Sequence, residues 1–222
     1  YASVAIGHHE PNRSDFTNSS PASRPKSEKL TDYELGYRTQ GSRLTAGINA
    51  FYMRYKNQLV LTGALDDVGE AIRTNADESY RAGLEADGKV KICKRLGWTV
   101  TAALSRNKVK NFQQFLYNYD TGTFDETAYT STNLAYSPAF VGTSAFSFIP
   151  VKKGSLALIS RYISRQYLDN TSTQSRSIAG YFISDVRASY QFSIKGIKNI
   201  GLSLLVNNVF SKKYVSDGAT YP

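Results

Sequence analysis

Leu202, Leu204 and Val206 alternate with Gly201, Ser203 and Asn207. Successive side chains of an extended backbone point to opposite sides, so this two-residue period describes a strand with one oily face. The same period returns in eight earlier segments: Tyr1–His9, Leu30–Gln40, Leu44–Asn57, Tyr80–Val90, Trp98–Arg106, Ala135–Ile149, Ser155–Arg165 and Ile178–Ser193. After the last one, Asn207-Asn208 tolerate the left-handed backbone that ends a strand, ahead of an aromatic-basic tail of Phe210, Lys212, Lys213 and Tyr214.

The connections are as regular as the segments. Residues 10–29, 58–77, 107–134 and 166–177 are long and polar or aromatic, whereas 40–42, 91–95, 150–154 and 195–198 are short. Long and short alternate without a break, the signature of an up-and-down outer-membrane barrel, whose periplasmic turns are tight and whose outer loops are long. The fold expected is therefore all-β, a transmembrane antiparallel up-and-down β-barrel. Placing the short turns in the periplasm sends the last segment outward.

Composition agrees with this reading. No apolar run approaches the roughly 18 residues of a transmembrane helix, a test that barrel strands do not meet because only every second residue is apolar. The chain has 16 Tyr and 11 Phe. Tyr37, Trp98, Phe146, Phe148, Tyr190 and Phe192 fall near the short turns. Tyr52, Tyr55, Tyr162, Tyr167, Tyr181, Phe182 and Phe210 fall near the long loops. Rings in a soluble sandwich would gather toward strand middles; two bands at strand ends are girdles at a lipid–water boundary.

The net charge of +9 raises nucleic acid or an anionic membrane as partners. Its placement decides between them. Arg43, Lys89, Lys91, Lys94, Arg95, Lys152, Lys153, Lys195 and Lys198 sit at or beside the short turns, a basic rim suited to anionic headgroups. No continuous basic, aromatic-interleaved groove is present, so no nucleic acid is expected. The lone cysteine, Cys93, allows no intrachain disulfide. Tyr1-Ala2-Ser3-Val4 reads as mid-strand rather than as a signal peptide, and a piece of a longer protein is expected.

The runs LTDYELGYR (Leu30–Arg38), AGINAFYMRYKNQLV (Ala46–Val60), SYRAGLEADGKV (Ser79–Val90), YLDN (Tyr167–Asn170) and LLVNNVFSKKY (Leu204–Tyr214) carry a family likeness. In that order they resemble the C-terminal barrel half of TonB-dependent outer-membrane receptors, in a Bacteroidetes-like branch. The resemblance implies a 22-stranded barrel with a plugged lumen, recruitment of the TonB complex through a plug segment, and import of ferric siderophores, haem, cobalamin or, in some branches, glycans. The nine segments would be the thirteenth through twenty-first strands, residues 1–222 being the C-terminal portion without plug, first barrel half or last strand. The location implied is the cell outer membrane. Implied partners are TonB, outer-membrane lipid and lipopolysaccharide (within reach of Lys212 and Lys213), a surface lipoprotein and a small-molecule solute.

For solute contact, the aromatic stretch with Phe112, Phe115, Tyr117 and Tyr119 has the rings with which an exposed loop grips a planar solute. Its dull alternative is a loop folded over its own rings. His9, facing the lumen at the outer end of the first segment, Arg13 in the segment Glu10-Pro11-Asn12-Arg13, and Tyr167 at the rim complete the candidate set. Asp32, Glu34, Arg38, Arg81, Glu85, Asp87, Arg161, Arg165, Asp185 and Arg187 share the lumen face, where ion pairs between strands or to a plug are expected. No Ser–His–Asp constellation, phosphate-cradling glycine loop or spaced metal-ligand set is present, so no catalysis, metal or cofactor is expected. A passive porin or an adhesin-like barrel is the competing function, with a soluble carbohydrate-binding β-protein behind it.

Overall fold

The computed structural model describes residues 1–19, 24–65, 71–118 and 120–218. Nine strands lie side by side, every neighbour antiparallel: β1 (Ala2–His9), β2 (Glu28–Gln40), β3 (Leu44–Leu65), β4 (Ala71–Lys91), β5 (Leu96–Asn118), β7 (Phe140–Phe148), β8 (Gly154–Ile163), β11 (Tyr181–Ile194) and β12 (Ile197–Val206). A tenth, β6 (Thr123–Asn133), pairs with the outer part of β5, and the short β9 (Gln166–Tyr167) and β10 (Ser177–Ile178) form a separate ribbon. All nine expected segments form strands in chain order. This is the wall of a barrel, seen as a fragment.

The register shows what makes each strand pair with the next. Leu35, Ala50, Leu84, Leu104 and Phe140 form one row across five strands, and Phe148, Leu156, Ala188 and Leu204 form another. A one-residue slip would move every such set to the wrong face, so the apolar face fixes the register. That face is bare: Leu35 and Leu204 are each 65% exposed. Large apolar patches on display mark a surface that something else covers. Over the span of the leucine rows the opposite face carries the charges, with Asp32, Glu34, Arg38, Glu85 and Asp87 in rows with Met53, Phe51, Gly47, Asn49 and Ala103.

Aromatic rings bound the apolar face at both ends. Toward the short turns, Trp98 stacks on Phe146 at 5.7 Å and donates its indole N–H to Ser144 Oγ at 2.9 Å. Toward the long loops, Tyr33, Tyr52 and Tyr80 run ring to ring at 6.4 and 6.0 Å, and Phe140 meets Tyr162 at 5.9 Å. Three expected members of the outer band lie elsewhere; Tyr167 is on the β9–β10 ribbon, off the wall sheet. Tyr55 is in register with Leu30, on the charged face beside Met53, and Tyr181, in register with Ile163, also turns away and stacks on Tyr214.

The long connections differ most from expectation. β3 continues eight residues past Asn57 to Leu65, and β4 starts at Ala71, so most of 58–77 is hairpin. Residues 107–134 likewise hold the end of β5 and all of β6. Beyond the tyrosine ring no single face has to be apolar, and the sequence loses its period. Conversely, Ala135–Ala139 leave the sheet because Tyr136 adopts a left-handed φ of 51° and Pro138 has no N–H to give the ladder.

Candidate solute-contacting surface at the long-loop end

The only buried apolar cluster among the described residues lies in the loops. Val60, Ala76, Val109, Phe112 and Leu134 pack together, with Tyr129 against them. Phe112 is 2% exposed, its ring 6.2 Å from that of Tyr129. The Tyr129 hydroxyl donates to Gln114 Oε1 at 3.2 Å. Two hairpins, β3–β4 and β5–β6, thus share a small core outside the tyrosine ring.

The loop after β8 fastens onto that core through the YLDN run. Asn170, 1% exposed, accepts the Ala135 N–H at Oδ1 and donates through Nδ2 to the Leu61 carbonyl, both at 2.8 Å. Asp169 accepts the Thr171 N–H at 3.0 Å, the Thr171 hydroxyl at 2.7 Å and Arg176 Nη1 at 3.2 Å, which closes the loop on itself. Ser172 Oγ takes the Asn133 N–H at 2.7 Å. Buried polar atoms of a loop need partners, and here the side chains supply them.

The first long loop holds a helix that alternation does not foretell: α1, Arg13–Thr17. Asn12 caps it, accepting the Asp15 N–H at 3.0 Å, while Asp15 Oδ2 takes the Asn12 N–H at 2.8 Å; this reciprocal pair is a capping box. Asp15 also receives Arg73 Nε and Nη2, both at 2.9 Å, which bolts α1 to β4. Nearby, Asn75 accepts the Lys26 N–H and donates to the carbonyls of Lys26 and Asn57.

On the charged face, ion pairs join strands. Arg38 on β2 reaches over β3 to Asp87 on β4 in a two-pronged contact at 2.7 and 3.2 Å. Gly47 lies beneath it: a Cβ there would stand 2.6 Å from Asp87 Oδ1 and 3.0 Å from Arg38 Nη2. Gly47→Ala should therefore open the bridge. Both partners are well exposed, so the expected loss is under about 1 kcal/mol. The check is a double-mutant cycle with Asp87→Asn in thermal melts; an unchanged Gly47→Ala cost in the Asp87→Asn background would show that the glycine serves something else. Arg161 and Asp185 pair at 3.9 Å across β8 and β11, and Arg81 donates to Ser137 Oγ at 3.0 Å.

The candidate contact residues occupy separate loops. His9, exposed, ends β1 opposite Glu28, and Arg13 opens α1 with its side chain in solvent. Phe115 and Tyr117 sit on β5 opposite Glu126 and Phe124, their side chains outside the described set, as is all of Tyr119. Tyr167 is half-buried, its carbonyl accepting the Tyr136 N–H at 2.8 Å. No hydrogen bond, ion pair or ring contact joins any two of them among the described residues. No set of three His, Cys, Asp or Glu converges there either.

A cleft that sequence reasoning missed opens where the chain leaves β12. About 480 Å³ in volume, it is lined by Leu168, Ile178, Tyr181, Lys212, Lys213 and Tyr214, among others. Tyr181 stacks on Tyr214 at 4.5 Å, and the Tyr136 hydroxyl closes one side by donating to the Gly218 carbonyl at 2.9 Å. Burial, then Asp217 and Asp169, raise the Tyr136 pKa, so the phenol keeps the proton it donates.

Sheet, girdles and tight-turn end together define the wall of an outer-membrane-type β-barrel. The chain belongs to the TonB-dependent receptors: residues 1–209 match the family described as TonB dependent receptor-like, beta-barrel. Its members are transport receptors of the outer membrane, not enzymes. Among solved structures, the unliganded ferric citrate transporter FecA is 21% identical, with TM-score 0.73 and coverage of 96% of this chain and 31% of that one. The siderophore receptor PiuA from Acinetobacter baumannii is 16% identical, at TM-score 0.71 and coverages of 96% and 30%. The ferric-catecholate import receptor Fiu from K12 E. coli is 18% identical, at 0.67, 96% and 29%. The chain thus spans about a third of the length of these structures. No curated protein matches its sequence.

Proposed function

We propose that residues 1–222 form the C-terminal part of the barrel of an outer-membrane receptor that imports a scarce solute, a ferric siderophore, haem or cobalamin, with energy coupled through TonB. The observation that carries this reading is the family match along a wall whose apolar face is bare and whose loops hold a packed core at one end only. Several solved structures of the same fold are receptors for iron complexes, which supports iron first. The cleft beside Lys212 and Lys213 is the best place for solute contact, its two ammonium groups and apolar floor suiting an anionic, ring-bearing chelate. His9, Arg13 and Tyr167 border the same loop end, while Phe112 stiffens the hairpins that carry Phe115, Tyr117 and Tyr119.

The test is growth of a strain lacking the gene on single iron sources, haem and cobalamin in turn. Loss of growth on one of them, restored by the full-length gene but not in a TonB-deficient background, is expected. Growth on all of them would overturn the iron-or-cobalamin reading in favour of a passive pore.

A further inference from the structure

We propose that the outer end of β5 is a binding site for a free peptide in extended conformation, held as an additional strand along the edge that β4 leaves open. The site lies apart from the cleft at Lys212 and Lys213 and takes a different ligand from the solute proposed above. Its basis is in the register. β4 and β5 are laddered from Lys91↔Gly97 out to Glu78↔Lys110, and no rung follows. Both strands nevertheless continue, β4 from Ala71 and β5 to Asn118. Out there β4 keeps β3 as its ladder partner and β5 keeps β6. The break falls at Asn111, level with Asp77, where a left-handed φ of 50° turns the peptide groups out of line. β5 is the central strand of the nine in the wall, so this edge is not an end of the sheet.

A gap of about 230 Å³ separates the two strands there, between Thr74–Asp77 on one side and Asn111–Gln113 on the other. The β4 side of it is already attended: Asn75 accepts the Lys26 N–H at 2.7 Å and donates to the Lys26 carbonyl at 2.9 Å. Residues 112–118 of β5 have no ladder partner on that side. Unpaired N–H and C=O groups along a strand edge are a template for another chain, and main-chain hydrogen bonds hold an extended peptide laid there. Natural edges are commonly blocked by proline, and residues 111–118 contain none. At the usual rise, Phe112–Asn118 offers about 20 Å, enough for a peptide of about seven residues.

Side chains at the gap choose the peptide. Asp77 is exposed and has no ion pair or side-chain hydrogen bond among the described residues, so its carboxylate is open to a lysine or arginine of the guest. Ala76 and Phe112 belong to the buried loop core at the base of the gap. Successive side chains of the guest point to opposite sides, so one set meets that apolar base and the other passes Asp77. The ligand's sequence therefore alternates apolar and basic residues. A small amine would meet Asp77 and leave the strand edge unpaired, which favours a peptide.

The test uses the full-length protein in detergent and three synthetic probes. They are acetyl-VKVKVKV-amide, acetyl-VQVQVQV-amide, and the lysine peptide N-methylated at two successive central residues. Two successive methyl groups put one on whichever edge faces β5, so this form should bind about tenfold more weakly. The lysine peptide should bind about threefold more tightly than the glutamine one, an advantage that Asp77→Asn abolishes. With the lysine peptide bound, alternate amides of 112–118 should exchange at least about tenfold more slowly, and those of Ala82–Ala86 should not change. Equal binding of the N-methylated form, a lysine advantage that survives Asp77→Asn, or protection confined to 71–77 would each overturn the proposal. So would binding seen only when the same sequence is carried by a host protein, which would assign the edge to a protein partner. Parent-like exchange at Ala82–Ala86 confirms that the Asp77→Asn wall is folded. Growth on single iron sources reads import separately, so failure of one reading leaves the other standing.

Discussion

Asn170→Ala in the full-length protein should loosen three outer loops at once while leaving the barrel wall intact. Two part-buried groups each lose a partner, the Leu61 carbonyl and the Ala135 N–H. An unmade buried hydrogen bond costs roughly 1–3 kcal/mol, so two of them, only partly buried, should cost the loop assembly at most about 2–6 kcal/mol. Hydrogen exchange is the measurement: amides of 133–135 and 169–173 should exchange at least tenfold faster, and those of Ala82–Ala86 should not change. Asn170→Asp is the informative companion, since it keeps an acceptor for Ala135 but sets a carboxylate against the Leu61 carbonyl. If Asn170→Asp behaved like the parent, the contact to Leu61 would have no energetic weight.

Arg73→Ala is the second large effect. The Asp15 side chain is 3% exposed and that of Arg73 28%. Removing the arginine strands a buried carboxylate, for which losses of roughly 3 kcal/mol are usual where the partner is not fully desolvated. The capping box alone does not hold five residues of helix, because short helices are unstable without tertiary contacts. Proteolytic cleavage within residues 10–19 should therefore rise sharply, without a shift in the barrel's melting. Arg73→Lys should rescue only part, a lysine being unable to supply both prongs. An uncut loop in Arg73→Ala would mean that α1 is held by something other than this pair.

The nine wall strands were legible because a bare apolar face imposes its period on every one of them. That constraint ends at the tyrosine ring. In Gln58-Leu59-Val60-Leu61 apolar residues occupy both parities, since the hairpin buries Leu59 and Val60 alike, and the stretch reads as a loop. The helix was hidden for another reason. Five residues show no 3.6-residue period, although Asn12 and Asp15 stand at capping-box spacing, a local signal that was there to be found. Tyr55 lies three residues from Tyr52, an odd step that already turned it to the charged face. The sequence left Phe112 open between a solute-gripping ring and one folded within its own loop; Val109 and Tyr129 of the same hairpin bury it, with Val60 and Leu134 from other segments. The cleft at Lys212 and Lys213 depends on a return of the chain past Ile178 that no local pattern encodes.

The outward run of β3 and β4 has a consequence for how such a receptor changes its cargo. From Tyr52 to Leu65 the strand rises about 40 Å at the usual spacing per residue. Anchored near its middle by Glu28 at Leu59 and by Asn170 at Leu61, it is a rigid mast rather than a tether. Selection for a new solute can then rewrite the masthead residue by residue, while the rigging below, and the folding of the wall, go untouched.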